Sequence, residues 1–186
     1  MPDRIWPLER RQFPTAKGYF DAVVVAIGVF GNIHYGSLNC RIAKPISATE
    51  MECVDVDYDP AFKWPAKRQR IRVHCFGVEA PKSRKANHDG IREVQRVAKL
   101  GRIVVLPLRI TNNGRDLYGS VSYAPNPADP VGRMRSFEDR QIKKGFATVK
   151  VDSAFPNALN WQFMLEEQSW AKSHRRGLWQ DSGEGK

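Results

Sequence analysis

The spacing of apolar residues predicts two strands near the start of the chain. A β-branched run from Gly18 to Ile27 predicts the first strand, and the glycines that follow it are typical of a bend or bulge. Alternating apolar positions predict a second strand over 32–42. Its candidate core residues are Ile33, Tyr35, Leu38 and Cys40.

The next segment, 44–66, is less regular and is predicted to be an insertion between strands. It ends with two prolines, Pro60 and Pro65, and it is rich in acidic residues. These are Glu50, Glu52, Asp55, Asp57 and Asp59. The chain then becomes strongly basic, and a strand is predicted over 71–78.

Helical periodicity begins after this strand. Apolar residues at three- and four-residue spacing between Ile91 and Ala98 predict a helix that ends at Gly101. Strands are predicted over 102–110 and 117–124, joined by a turn at 111–115.

The last third of the chain predicts two further helices, over Ser136–Lys144 and Trp161–Arg176, each followed by a glycine. The order β-β-β-α-β-β-α-α indicates an α+β fold in which a mainly β, antiparallel barrel carries about three helices. We expect an extended arm over 1–17, one domain over 18–181 and a tail over 182–186.

The charge of the chain favours an anionic partner. Lys and Arg outnumber Asp and Glu by 30 to 20, so the formal net charge is +10 at pH 7. Such a balance attracts nucleic acid or acidic lipid through steering and counterion release. The alternatives are a solvated basic face and a basic subunit within a larger assembly.

Two kinds of residue are candidates for contact with nucleic acid. The basic ones are Lys63, Lys67, Arg68, Arg70, Arg72, Lys82, Arg84, Lys85, Arg92, Arg96 and Lys99. Three aromatic residues, Trp64, Phe76 and Tyr118, are candidate platforms on which bases could stack.

Several classes of site are not supported by the sequence. The cysteines Cys40, Cys53 and Cys75 form no C-x-x-C pair, which favours a reducing intracellular compartment. No apolar run reaches the about 20 residues that cross a bilayer, so we expect no membrane span. The histidines lack zinc-ligand spacing and no glycine-rich phosphate loop occurs, so we expect neither metal nor cofactor.

Five short stretches, in order along the chain, resemble the staphylococcal nuclease family. They read GVEAPK, REVQRVAKLGRIVVLPL, DLYGSVSY, QIKKGFATV and LEEQSWAKSHRRGLWQD, and they fall between residues 77 and 181. The resemblance extends over roughly residues 18–181. It implies a five-stranded barrel of the OB type with three helices.

The resemblance also implies where a calcium-dependent phosphodiesterase site would lie. Such chemistry needs carboxylates for the cation, arginines for the phosphate and a carboxylate base. The corresponding positions hold Gly28 and Phe30 for two carboxylates, His74 and Ser120 for two arginines, Glu79 for an aspartate and Lys82 for the base.

These replacements predict a pseudo-nuclease. Lys82 repels a cation and cannot accept a proton while it is charged. Arg115 lies five residues before Ser120, which by two-residue counting is the wrong side of a strand. We therefore expect no catalytic residues and no bound metal.

Three functions are compatible with this sequence. The first is a non-catalytic nuclease-like module that binds RNA or DNA, with RNA favoured, or that belongs to a ribonucleoprotein. The second is a structural subunit of a large protein complex, with mitochondria as one candidate location. The third is an active metal-dependent nuclease with a rearranged site that uses Glu79 and Arg72.

Overall fold

The structure, a computed structural model, describes residues 36–60, 64, 66–125, 134–151 and 161–180. Within these ranges the chain forms eight strands and three α-helices. The strands are β1 (Leu38–Ser47), β2 (Glu50–Tyr58), β3 (Arg70–Cys75), β4 (Val78–Glu79), β5 (Arg102–Thr111), β6 (Asp116–Tyr123), β7 (Arg135–Ser136) and β8 (Thr148–Val149). The helices are α1 (Arg84–Leu100), α2 (Phe137–Lys143) and α3 (Trp161–Ser173).

Five of these strands close into a barrel. Strand β1 pairs antiparallel with β2 and β5, β2 pairs antiparallel with β3, and β5 pairs antiparallel with β6. A parallel pairing between β3 and β6 completes the circuit. The predicted α+β barrel with three helices is confirmed, and its architecture is compatible with an OB-type fold.

The barrel interior follows the two-residue period of its strands. On β3 the residues Ile71, Val73 and Cys75 are buried, and on β1 the predicted core residues Leu38 and Cys40 are also buried. The three cysteines are all buried free thiols. Ile33 and Tyr35 lie outside the described residues.

The prediction that 44–66 is an insertion between strands is wrong for most of its length. Strand β1 continues to Ser47, and after a two-residue turn the chain enters β2, which is part of the barrel wall. Four of the five acidic residues of this segment therefore belong to β2, on the face opposite its buried residues Met51, Cys53, Val56 and Tyr58, and Asp59 follows the strand.

A bulge explains why the period of β2 is hard to see in the sequence. Met51 and Cys53 are buried, and the next buried residue is Val56, so the alternation slips by one position. The slip falls at Asp55, whose φ of 54° places it in the left-handed region. The barrel strands thus all lie between Leu38 and Tyr123. The strand predicted over 18–27, the arm and the tail lie outside the described residues.

Helix α1 begins directly after a serine cap. The Ser83 side chain accepts a hydrogen bond from the Ala86 backbone N–H, so the helix starts seven residues before its first predicted apolar position, Ile91. It packs against β1, and Gly90 permits this approach because a Cβ there would overlap Ala48.

A buried carboxylate joins α1 to α2. Glu93 accepts hydrogen bonds from Arg140, from Lys144 Nζ at 2.7 Å and from Arg96 at 3.1 Å. Burial would raise the pKa of Glu93, but the hydrogen bonds from Lys144 and Arg140 lower it overall. None of the helices in the described part of the chain is long and apolar enough to cross a membrane.

Candidate nucleic-acid interface

Strand β3 presents basic residues on its outer face. Arg70, Arg72 and His74 alternate with the buried residues of the same strand, as the two-residue period requires. Because the interior positions are apolar, the cations must face away from the core. These basic residues of the sequence therefore lie on the outer surface of the barrel.

An open groove of about 550 Å³ lies beside this strand. Four arginines line it, together with two carboxylates and the start of β6. The lining residues that carry charge are Arg68, Arg70, Arg72, Arg115, Glu52 and Asp116. We call this groove the arginine cleft.

The parallel pairing of β3 with β6 brings the two parts of the cleft together. The Arg72 backbone N–H donates to the Arg115 carbonyl oxygen at 2.7 Å, directly before β6 begins. Arg68 Nε donates to the Asn113 carbonyl oxygen at 3.2 Å, which holds its side chain against the turn before β6. Residues 43 or more positions apart in sequence thus share one surface.

Cross-strand ion pairs fix two of the arginines. Arg70 Nη1 donates to Glu52 Oε1 at 2.8 Å. Arg72 Nε lies 3.5 Å from Glu50 Oε1 and 4.0 Å from Asp116 Oδ1. Opposite charges on neighbouring strands stabilise a sheet, and they also orient the guanidinium groups.

A row of side chains crosses four strands next to the cleft. Arg109 pairs with Tyr118, Tyr118 pairs with His74, and His74 pairs with Glu50. The His74 ring stacks on the Tyr118 ring at 4.3 Å, and the Arg109 guanidinium lies 4.1 Å from the centre of the same ring. Since β6 lies between β5 and β3, these two groups flank Tyr118 from opposite sides.

Both ring nitrogens of His74 face carboxylates. Nδ1 lies 3.8 Å from Glu50 Oε1, and Nε2 lies 3.8 Å from Asp116 Oδ1. The imidazole is thus enclosed by Tyr118 and the two acids, of which Asp116 lines the cleft.

The structure argues against the three aromatic platforms suggested by the sequence. Phe76 is only 4% exposed. Trp64 packs against the core and meets the Tyr58 ring edge-on at 4.8 Å. Tyr118 is covered by His74 and Arg109. Stacking on these rings would require their present neighbours to move.

The predicted basic residues of the α1 region form a second surface. Lys82, Arg84 and Lys85 are exposed around the helix start, and three further cations are exposed along the helix. Those three are Arg92, Arg96 and Lys99. Because α1 packs against β1, whereas the cleft lies along β3 and β6, the structure separates residues that the sequence grouped together.

Two of these helix cations have acidic neighbours. Arg96 pairs with Glu93 at 3.1 Å, and Arg92 lies 4.0 Å from Asp89. Lys67, from the other basic group, is exposed next to the cleft, and Lys63 lies outside the described residues.

The described positions implied by the nuclease resemblance lie on different elements. Glu79 lies on β4, in a small separate sheet with β8, and its carboxylate is 3.7 Å from Lys150 Nζ. Lys82 is exposed before α1, and Ser120 lies half-buried on β6. Glu79 and Arg72, the pair assigned to an active nuclease, thus have different partners. Gly28 and Phe30 lie outside the described residues.

One arginine of the cleft and two acids beside Arg72 are not predicted from the sequence. Arg115 was excluded by strand counting, but it lies in the turn before β6, with helical φ and ψ, so the two-residue period does not apply to it. Glu50 and Asp116 were overlooked as partners of β3. The alternation of acids with Met51 and Cys53 was the available signal for Glu50.

Among the described residues, no group of three or more His, Cys, Asp or Glu side chains could hold a metal ion. The chain matches no protein-family model and no curated protein.

Proposed function

We propose that this protein is a non-catalytic, nuclease-like barrel that binds the sugar–phosphate backbone of single-stranded nucleic acid, RNA in particular, in the arginine cleft. The observation that carries the proposal is the convergence of four arginines, from two distant segments, on one open groove. Arginine recognises phosphate through paired N–H donors, and phosphate contacts dominate affinity for nucleic acid.

The geometry of β3 suits an extended strand of phosphates. Arg70 and Arg72 are two residues apart on the outer face, which places their backbones about 7 Å apart. This separation is close to that of consecutive phosphates in an extended single strand. Because the nearby aromatic rings are already packed, the proposal assigns recognition to the backbone and expects little base preference.

The proposal of a pseudo-nuclease rests on the residue types at the implied catalytic positions. A lysine at 82 and a serine at 120 supply neither a base nor a phosphate-binding guanidinium. The resembling stretches and the barrel with its three helices support the nuclease-like assignment. The buried free thiols fit the reducing compartment that we propose for the protein.

The test is the salt dependence of binding to a labelled single-stranded RNA. A variant with R68Q, R70Q and R115Q removes three cleft cations, and a matched variant with K85Q, R92Q and K99Q removes three from α1. Each lost phosphate contact should lower the slope of log K against log salt by about 0.7, so the cleft variant should lose roughly 2 units.

The α1 variant carries the same change in net charge and should retain most of the slope. A larger loss in the α1 variant would overturn the assignment to the cleft. Cleavage of single-stranded nucleic acid with added calcium, abolished by E79Q, would establish the nuclease instead.

A structural subunit of a larger complex is the second candidate. Helix α3 favours it, because Phe163 is 42% exposed and Leu165 is 45% exposed. Purification from the native source distinguishes the two candidates. Stable co-purification with proteins alone, together with no binding to RNA at low salt, would favour the structural subunit, mitochondrial or otherwise.

A further inference from the structure

The arginine cleft contains its own anions. Arg70 is paired with Glu52, and Arg72 lies between Glu50 and Asp116. The two arginines are more exposed than these acids: the Arg70 side chain is 69% exposed and the Glu52 side chain 31%. The cationic groups therefore reach toward solvent while the carboxylates hold them from below.

The register of the barrel places these acids. Glu52 lies opposite Arg72 in the β2–β3 pairing, and Asp116 lies opposite Arg72 in the β3–β6 pairing. Arg72 of β3 thus has a carboxylate opposite it on each neighbouring strand. A carboxylate offers a guanidinium the same pair of oxygen acceptors that a phosphate offers. It therefore competes with phosphate for the paired N–H donors of the arginine.

The other half of the cleft is different. Arg68 donates to a backbone carbonyl, and in the described part of the chain neither Arg68 nor Arg115 pairs with a carboxylate. The cleft therefore has two cations held by acids and two that a phosphate can approach directly.

We propose that Glu50 and Glu52 act as a carboxylate gate on the arginine cleft. They pair with Arg72 and Arg70, and a single strand of nucleic acid displaces them by placing its phosphates on these two arginines. This inference rests on the proposed function of the cleft. Exposed ion pairs of this kind are weak, so an anion with several linked phosphates can replace them. An isolated phosphate gains only one contact and displaces the acids poorly.

Substituting these glutamates should raise the affinity for RNA, whereas substituting the arginines should lower it. Removing the charge of Glu52 leaves Arg70 without its competitor, so E52Q should bind single-stranded RNA three- to tenfold more tightly at about 0.1 M salt. Because Arg70 contacts phosphate in both proteins, the slope of log K against log salt should change little. E50Q should act in the same direction through Arg72.

The matched control is D55N. Asp55 lies on the same strand and also pairs with an arginine, Arg41, at 2.9 Å, but it is outside the cleft. Asparagine tolerates the left-handed backbone at this position. D55N makes the same change in net charge and should alter affinity less than twofold.

The possible results distinguish a failure of the gate from a failure of RNA binding. A gain in E52Q and E50Q but not in D55N, with unchanged thermal midpoints, supports the gate. Equal effects in E52Q and D55N would reduce the result to net charge and overturn the gate, while RNA binding itself remains. Weaker binding in E52Q would show that the acid only orients Arg70, which also overturns it. If the unsubstituted protein binds no RNA, the proposed function fails together with the gate.

Discussion

At the scale of single residues, Glu138 shows how a buried acid makes this fold sensitive to pH. It lies in the first turn of α2, it is 2% exposed, and it accepts a hydrogen bond from the Val121 backbone N–H at 2.7 Å. Burial raises the pKa of Glu138 from 4.5 to about 8, although this hydrogen bond and one from Ser136 favour the charged form.

The sign of the pH effect follows from this shift. The folded protein binds the Glu138 proton more tightly than the unfolded chain, so the protonated acid is favoured on folding. The free energy of unfolding should therefore fall as the pH rises from about 4.5 through about 8, and this contribution should be constant above that range.

The substitution E138Q tests this directly. Glutamine keeps an oxygen acceptor for Val121 without a charge, so it should stabilise the protein at pH 9 by on the order of 2 kcal/mol and have little effect at pH 4.5. Urea unfolding at both pH values measures the difference. The control is D57N, which removes a charge on the exposed side of β2. If the free energy of unfolding of E138Q and of the unsubstituted protein varied with pH in parallel, the prediction would be contradicted.

At the scale of elements, the ends of α2 and α3 are joined through two glycines. Gly145 follows α2 with a φ of 70°, and Gly177 follows α3 with a φ of 50°. The Leu178 backbone N–H donates to the Gly145 carbonyl oxygen at 2.9 Å, and a Cβ at Gly145 would overlap the Arg176 carbonyl. The two helix ends therefore touch through their backbones.

Replacing Gly145 by alanine should therefore be costly. We expect G145A to lower the free energy of unfolding by about 2–4 kcal/mol, through the positive φ and the overlap together. G101A gives the cost of a positive φ without an overlap, because a Cβ at Gly101 meets nothing within 4 Å. The Gly101 φ of 123° lies further from the left-handed region than the Gly145 φ of 70°, so the loss in G101A is an upper limit on the backbone part of the loss in G145A. A loss in G145A below about 1 kcal/mol, measured by urea unfolding, would contradict the predicted overlap between the helix ends.

The sequence predicts helices better than it predicts the first strands. The apolar periodicity and terminal glycines placed α2 and α3 within a few residues of their observed ends. The sequence predicts an insertion in place of strand β2 because acids fill its outer face and the Asp55 bulge breaks its alternation. Neither feature can be interpreted without the basic strand that pairs with it.

Only the part of the candidate site on and before β3 was predictable from the sequence. The run that contains Arg68, Arg70 and Arg72 is visible as charge in the sequence. Arg115 and the acids Glu50 and Asp116 join it through strand register, which depends on the parallel pairing of β3 and β6. Such a pairing links segments that are distant in sequence, and no local sequence pattern predicts it.

At the scale of the whole molecule, the described residues include two basic surfaces that are candidates for contact with nucleic acid. The arginine cleft lies along β3 and β6, and the exposed cations of α1 lie on a helix packed against β1. Both attract polyanions at long range, but only the cleft combines an open groove with arginines oriented by neighbouring strands. The central claim is that the nucleic acid contacts this groove.

The most direct test is an NMR titration that follows the side-chain Nε–Hε signals of the arginines as single-stranded RNA is added. The account predicts that the signals of Arg68, Arg70, Arg72 and Arg115 shift first and furthest, while those of Arg92 and Arg96 move little. Shifts confined to the α1 arginines, or no shift in any arginine at low salt, would contradict it.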